Sequence, residues 1–162
     1  MLAFFALKYL HLIGAAVLLG TGAGIAFFLL LAHRTGNAAT IAAVARIVVI
    51  ADFVFTATAV VLQPITGMVL ADLDGYPLSE GWIVLSVALY LVAGAFWLPV
   101  VWMQRRMRDL ATAAAARNEP LPPRYYRLYR TWFVFGFPAF AAVLAIFWLM
   151  LARPEISWVG QS

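Results

Sequence analysis

Four long apolar segments alternate with polar connections along the chain. The apolar segments cover roughly residues 3–32, 41–70, 82–104 and 129–152, and the connections hold most of the charged residues. Each apolar segment is at least as long as the ~20 residues that an α-helix needs to cross the hydrocarbon core of a bilayer. The pattern predicts an all-α polytopic membrane protein, folded as one antiparallel four-helix transmembrane bundle that forms a single domain over residues 1–162.

Composition excludes several classes of protein. With 65% hydrophobic and only 11% charged residues, the chain cannot present the water-compatible surface of a soluble enzyme. It has no cysteine, so disulfides, thiolate metal sites and thiol nucleophiles are excluded. The basic residues lie mainly in connections that flank the apolar segments, which is typical of membrane topology. We therefore expect a lipid bilayer and no nucleic acid as a partner.

The charges of the connections predict the orientation of the bundle. The second connection carries Asp72, Asp74 and Glu80 and no basic residue. By the positive-inside rule the Arg-rich loop between helices 3 and 4 is cytoplasmic, which puts both termini outside. The arginines of this third connection are Arg105, Arg106, Arg108, Arg117, Arg124, Arg127 and Arg130.

Local signals predict where individual helices begin and end. Thr40 is a candidate N-cap of the second helix. The alanine- and arginine-rich stretch after Gln104 predicts that helix 3 continues beyond the membrane, until the prolines of EPLPPR end it. The aromatic side chains near the start of the fourth span predict a belt at the membrane interface, with Trp82 and Trp148 as counterparts at the opposite interface. The residues of this belt are Tyr125, Tyr126, Tyr129 and Trp132.

The first span contains Lys8, the only lysine, three residues before His11, one of two histidines. An ionisable group in the hydrocarbon region is costly and indicates a functional site. Equal helical rises in an antiparallel bundle place His11 level with Gln63 and Tyr90. Either these side chains form a structural polar layer, or His11 binds a cofactor. Lys8 either extends to the interface or contacts an anionic group of that cofactor.

The second span contains Asp52, whose carboxylate requires a proton or a partner inside the membrane. Asp52, Thr56, Gln63 and Thr66 are spaced by near multiples of 3.6 residues, so we expect them on one helical face, with Asp52 near mid-bilayer. Counting along the helices places Asp52 level with residues 21–22 and near Pro99. His33, at the end of the first span, is expected to be solvated, and Trp97 is expected to serve packing.

Prolines and small residues suggest how the helices pack. Pro64, Pro99 and Pro138 lie within spans and predict kinks that enclose a cavity and free backbone carbonyls. Gly20 and Gly24 form a GxxxG pair, which favours close approach of another helix. We expect this face to contact the second span or a second copy in a homodimer or larger homo-oligomer.

Nearly the whole chain resembles the uncharacterised bacterial membrane family called domain of unknown function two-two-six-nine. The resemblance rests on LKYLHLIGAAVLLGTGAGIAFF, ARIVVIADFVFTATAVVLQPITGMVLA, LYLVAGAFWLPVVWMQRRMRDLA and LPPRYYRLYRTWFVFGFPAF. It implies four membrane-spanning helices in a bacterial cytoplasmic (inner) membrane, and it implies no activity. The motif positions of that family correspond here to His11, Asp52, Gln63, Pro64, Thr66, Gly67, Trp97, Pro99, Tyr125, Trp132 and Pro138.

The opening KYLHLIGA is also similar to the first helix of small haem-linked membrane proteins of the HemJ and CopD types. That resemblance implies haem b with His11 as an axial ligand to the iron. The lysine that the HemJ type carries in a later helix has no counterpart in the third span here. His11 and His33 are roughly 33 Å apart along one helix and cannot share an iron. Met68, Met150, Tyr90 or a partner's histidine remain candidate second ligands.

The leading hypothesis is that His11, near Lys8, Gln63 and Tyr90, binds haem b in the outer half of the bundle. The protein would then serve electron transfer or small-molecule redox chemistry as a membrane oxidoreductase, with a quinone or redox partner. One alternative is a proton-linked transporter or channel module that uses Asp52 with Thr56 and Thr66. Another alternative is a non-catalytic scaffold or accessory protein. No catalytic residue is predicted.

Overall fold

A computed structural model describes residues 1–156 of the chain, which fold as four long helices. They are α1 (Leu2–Arg34), α2 (Ala38–Leu73), α3 (Gly81–Ala116) and α4 (Pro123–Ala152). Each helix is long and apolar enough to span a bilayer, and the described residues contain no β-strand. The all-α, four-span prediction is therefore confirmed, with each helix extending beyond the range that hydropathy predicted.

The connection between α1 and α2 is shorter than predicted. Gly36 adopts a φ of +64°, which favours glycine, and Asn37 is the N-cap of α2. The Asn37 side-chain oxygen accepts a hydrogen bond from the Thr40 backbone N–H at 2.9 Å. The prediction of Thr40 as N-cap is wrong, because the helix begins three residues earlier, at Ala38.

The prolines after α3 do more than end a helix. α3 runs to Ala116, so its predicted extension is confirmed, and Asn118 turns the chain with a φ of +52°. Pro123 then opens α4, where its missing N–H costs no intrahelical bond. The fourth helix therefore starts six residues before the predicted residue 129.

The main core lies at the end of the bundle that carries the first and third connections, hereafter the Arg-rich end. All four helices contribute to it, and Leu29, Ile41, Met107 and Tyr125 are its largest fully buried side chains. In a membrane, close van der Waals packing of this kind drives helix association. Tyr129 and Trp132 belong to this core. The predicted aromatic belt is wrong for the three buried residues, because α4 starts early and turns them inward, and only Tyr126 is exposed.

A smaller core closes the opposite end, hereafter the acidic end. Trp82 is buried there against Ala71 and Leu149, so its predicted position in an interface belt is wrong. Trp148, the other residue predicted for that belt, is exposed. An Arg153 guanidinium nitrogen lies 3.5 Å from an Asp74 carboxylate oxygen, and this guanidinium also donates to the Tyr76 hydroxyl. These contacts fasten the end of α4 to the connection between α2 and α3, as an antiparallel bundle requires.

Between the two cores the helices separate into pairs. The second half of α2 packs chiefly on α1, while α3 packs chiefly on α4 and on the first half of α2. Two open grooves lie between α2 and α3 at the Arg-rich end, and the expected enclosed cavity stays a prediction. A Cβ on Gly20 would meet nothing within 4 Å in the described chain, so the GxxxG contact with another copy stays a prediction.

Tyr90 bridges the two pairs at the place where a proline interrupts the backbone hydrogen bonding of α2. Pro64 has no N–H, so the carbonyl of Val60 loses its helical partner four residues on. The Tyr90 hydroxyl of α3 donates to that carbonyl oxygen. Because no water is present in the bilayer core to replace it, this hydrogen bond satisfies a group that would otherwise be costly.

We predict that Tyr90→Phe lowers the free energy of unfolding by about 1–2 kcal/mol, because the Val60 carbonyl then has no partner. In a Pro64→Ala background the N–H of residue 64 satisfies that carbonyl, and Tyr90→Phe should cost less than half as much. Unfolding in mixed detergent micelles, followed by circular dichroism, measures the four proteins of this cycle. Equal costs of Tyr90→Phe in both backgrounds would contradict this role of the hydroxyl.

Candidate functional site

A π-turn at Asp52–Thr56 interrupts α2. The Ala57 N–H donates to the Asp52 carbonyl five residues back, so the turn holds one residue more than an α-helical turn. Such insertions occur frequently at functional sites. One additional residue rotates everything that follows by about 100° relative to an uninterrupted α-helix.

This rotation divides the polar residues of α2 between two sites. Asp52 bonds to side chains of α3, whereas Gln63 and Thr66 bond to α1. The predicted single polar face is therefore wrong, since the spacing of 3.6 residues does not hold across a π-turn. The sites are hereafter the aspartate site, toward the Arg-rich end, and the histidine site, toward the acidic end.

Asp52 is only 3% exposed and accepts two hydrogen bonds. The Trp97 indole N–H donates to one carboxylate oxygen at 3.2 Å. The Gln104 amide N–H donates to the other at 3.0 Å, and the Gln104 amide oxygen accepts from the Trp132 indole N–H at 3.2 Å. An indole N–H can only donate, so Trp132 fixes the orientation of the Gln104 amide. Both carboxylate oxygens are thereby required to be acceptors.

The structure supplies the partners of Asp52 that sequence counting left open. Its hydrogen-bond donors are Trp97 and Gln104 of α3, and Trp97 lies two residues from Pro99, which counting along the helices placed nearby. The depth of Asp52 in the bilayer stays a prediction. The prediction that Trp97 serves packing is wrong, because its indole N–H bonds to the carboxylate. Sequence spacing missed Gln104 because it follows the last apolar turn of the third span.

No cation neutralises Asp52 by direct contact. Among the described residues no Lys, Arg or His nitrogen forms a salt bridge with it, and both of its donors are neutral. One turn further along, the Thr56 hydroxyl is buried close to the carboxylate. The site thus combines a buried carboxylate with a second buried polar group beside it.

The histidine site forms between α1 and the second half of α2. His11 Nδ1 lies 2.7 Å from the Thr66 hydroxyl oxygen, and that hydroxyl donates to the Leu62 carbonyl at 2.8 Å. Because the hydroxyl has one proton, His11 is assigned as the donor through Nδ1–H. His11 Nε2 then keeps its lone pair, and it makes no hydrogen bond in the described part of the chain.

Two glycines permit the close approach of the helices at this site. The Gln63 amide donates to the His11 carbonyl at 2.8 Å, in the space that a Cβ on Gly14 would occupy. A Cβ on Gly67 would lie 3.2 Å from His11 Cε1, so glycine leaves room for the imidazole. Gln63 therefore contacts the backbone of His11, while Thr66 contacts its ring.

Two residues predicted at this site lie apart from the imidazole. The Tyr90 hydroxyl of α3 bonds to the Val60 carbonyl of α2 and makes no hydrogen bond to His11. Lys8 is exposed, with its ammonium nitrogen 5.6 Å from the centre of the Phe4 ring. The structure therefore brings His11, Gln63 and Thr66 together, as sequence spacing predicted for the first two.

His33 is far from the histidine site, and it is half-buried against tyrosines where full solvation was expected. Its ring stacks on Tyr129, with centroids 3.6 Å apart, and its Nδ1 lies 3.3 Å from the Tyr125 hydroxyl oxygen. The early start of α4 carries these tyrosines to it. Within residues 1–156 no group of three or more His, Cys, Asp or Glu side chains is placed to hold a metal ion.

We predict that Asp52→Asn lowers the free energy of unfolding by about 1–3 kcal/mol, because one N–H must then face another donor. Asparagine keeps the size of the side chain but replaces one acceptor oxygen with an amide N–H. Asp72→Asn, at an exposed position, is the matched control and should be neutral. Denaturation followed by near-UV circular dichroism of the tryptophans measures both variants. Equal stability of Asp52→Asn and wild type would contradict the network.

Comparison with known proteins gives one match. No curated protein and no solved structure matches the chain. The resemblance to proteins of the HemJ and CopD types therefore stays a prediction. A family described as "Predicted integral membrane protein (DUF2269)" matches residues 5–154. This match covers three helices completely, all but the first three residues of α1, and both sites. The chain belongs to the DUF2269 family of integral membrane proteins.

Proposed function

We propose that the protein binds haem b through His11 and serves electron transfer or small-molecule redox chemistry in the membrane. The observation that supports this proposal most directly is the 2.7 Å contact between His11 Nδ1 and the Thr66 hydroxyl oxygen. With Nδ1–H assigned as the donor, Nε2 keeps its lone pair. Histidines that bind a metal usually donate their other ring N–H to a neighbouring acceptor, which fixes the tautomer and the ring orientation. Thr66 supplies that acceptor.

The surroundings of His11 fit a bound planar group. Between the two cores, His11, Gly14, Gln63, Gly67 and Tyr90 are half-buried rather than buried. None of these residues belongs to the main core, so a group bound beside the ring would not need to displace that core. The chain offers apolar helix surfaces here, and Lys8 lies one turn from His11 as a cation for a carboxylate of the ligand.

The chain supplies a single histidine to such a group. His33 lies 22 residues along the same helix, in contact with Tyr129. In this proposal one histidine of the chain would hold the haem, which would supply one-electron or small-molecule redox chemistry when bound. Thr66 orients the ligating ring, and Gln63 fastens α1 to α2 beside it. We place the protein in the bacterial inner membrane as a homo-oligomer, with a quinone or protein redox partner.

We predict that protein purified from cells supplied with haem has a Soret band that His11→Ala abolishes. His33→Ala is the matched control, since it removes the other histidine, and it should retain the band. Thr66→Val removes the hydrogen bond to Nδ1 and should weaken haem binding by about 10- to 100-fold. Absorption spectra of oxidised and reduced protein and haem titration of the apoprotein measure these effects.

A colourless wild-type preparation that takes up no added haem would contradict the proposal. A Soret band that survives in folded His11→Ala protein would also contradict it. Circular dichroism verifies that each variant is helical, so that loss of haem is separated from loss of fold.

A second candidate function is favoured by the aspartate site. We infer as an alternative that Asp52 carries protons for a proton-linked transporter or channel module. A buried carboxylate with neutral donors only, at a π-turn and beside the buried Thr56 hydroxyl, is suited to gain and lose a proton. Thr66 belongs to the histidine site and has no part in this candidate.

We predict for this alternative that proteoliposomes with an imposed pH gradient show proton flux that Asp52→Asn removes. Asp72→Asn, at an exposed position in the last turn of α2, should leave the flux unchanged. A pH-sensitive dye inside the vesicles measures the rate. Flux that is the same in wild type, Asp52→Asn and empty vesicles would contradict the alternative.

A further inference from the structure

We propose that a groove between α2 and α3 at the Arg-rich end binds one anionic phospholipid. The phosphate would contact Arg46, Arg105 and Arg108, and an acyl chain would lie along the exposed apolar side chains of the π-turn. This inference does not depend on the proposed function, because the groove lies at the end of the bundle remote from His11.

Two adjoining grooves make up this surface, and they share Arg108. The part farther from the membrane centre lies between Arg46 of α2 and the last turns of α3. The deeper part lies between the first half of α2 and Arg105. The remaining lining residues are Asp109, Thr112, Ala113 and Ala116 in the first part, and Val49, Ile50, Phe53 and Val54 in the second.

The charges of the groove complement a phosphate. Of its three arginines only Arg108 has a salt bridge among the described residues, at 2.7 Å to its neighbour Asp109. Arg46 and Arg105 have none there. Guanidinium groups bind phosphate oxygens through paired hydrogen bonds, and basic pockets between membrane helices bind anionic lipid headgroups. The groove therefore has an excess of positive charge even with Asp109 in its wall.

The apolar part of the groove identifies the ligand as a lipid rather than a soluble anion. Ile50, Phe53 and Val54 are 55%, 68% and 50% exposed, and all lie on a helix long and apolar enough to span a bilayer. Arg46 is about 6 Å along α2 from Ile50. A molecule that fills the whole groove therefore needs a phosphate at one end and a hydrocarbon chain at the other. A diacyl phospholipid has both.

The lipid would lie against the outer side of the residues that hold the aspartate site. Phe53 and Val54 are exposed in the groove, whereas Asp52 and Thr56 of the same π-turn are buried. Occupation of the groove would restrain a turn whose hydrogen bonds differ from those of the adjoining helix. We therefore expect bound lipid to stabilise the bundle as well as to remain attached to it.

The test compares phosphatidylglycerol with phosphatidylcholine of identical acyl chains, added to the delipidated full chain in detergent. Native mass spectrometry should detect one retained phosphatidylglycerol, and the melting temperature should rise. Phosphatidylcholine should not be retained and should not raise the melting temperature. Arg46→Gln combined with Arg108→Gln should weaken retention by about 10- to 30-fold. Arg117→Gln is the matched control, since Arg117 pairs with Glu119 outside the groove, and it should bind as wild type does.

Two further measurements distinguish a phospholipid from a soluble phosphate as the ligand of the groove. Glycerol 3-phosphate alone should not raise the melting temperature, and equal stabilisation by it would overturn the lipid assignment. Phe53→Ser should weaken retention of phosphatidylglycerol while leaving the arginines intact. Equal retention of both lipids, or unchanged retention in a folded Arg46→Gln, Arg108→Gln variant, would overturn the proposal. Lipid retention by His11→Ala protein separates this result from the outcome for haem.

Discussion

This structure depends on one constraint, which is that polar groups inside a bilayer must form their hydrogen bonds without water. Within a bilayer a backbone carbonyl or carboxylate must find its partner inside the protein. The Val60 carbonyl, freed by Pro64, finds it in the Tyr90 hydroxyl of another helix. Asp52 finds two donors in Trp97 and Gln104. These hydrogen bonds join helices at levels where apolar packing alone gives little direction, since lipid chains pack against an apolar helix as readily as another helix does.

The π-turn of α2 connects the two candidate sites. With its additional residue, Asp52 bonds to α3 while Gln63 and Thr66 bond to α1. α2 thus belongs to a tightly packed half of the bundle at the Arg-rich end and to a more open half toward the acidic end. The tight half carries the carboxylate and the proposed lipid groove, and the open half carries the imidazole with an unoccupied lone pair. This division separates the proposed cofactor chemistry from the part of the molecule that holds the bundle together.

Much of the fold could be predicted, because hydropathy and helix length are local properties of the chain. The four spans, the extension of α3 and the pairing of His11 with Gln63 followed from composition and helical rise. The predictions that proved wrong concern residues whose roles depend on where another helix lies. Trp132, assigned to an interface belt, orients the Gln104 amide, and His33, assigned to solvent, stacks on Tyr129. The periodicity of apolar residues along one helix cannot predict a hydrogen bond to another helix, such as the one from the Trp132 indole to the Gln104 amide.

The sequence by itself determined the class of protein, the number of spans and the presence of ionisable groups within them, since these depend only on composition and order. Only the tertiary structure decided what those groups bind. The π-turn changes the direction in which every later side chain of α2 points. The close approach of α1 and α2 at Gly14 and Gly67 determines which side chains contact His11. Such contacts depend on the relative rotation of helices that are distant in sequence, and one inserted residue in a turn is sufficient to change them.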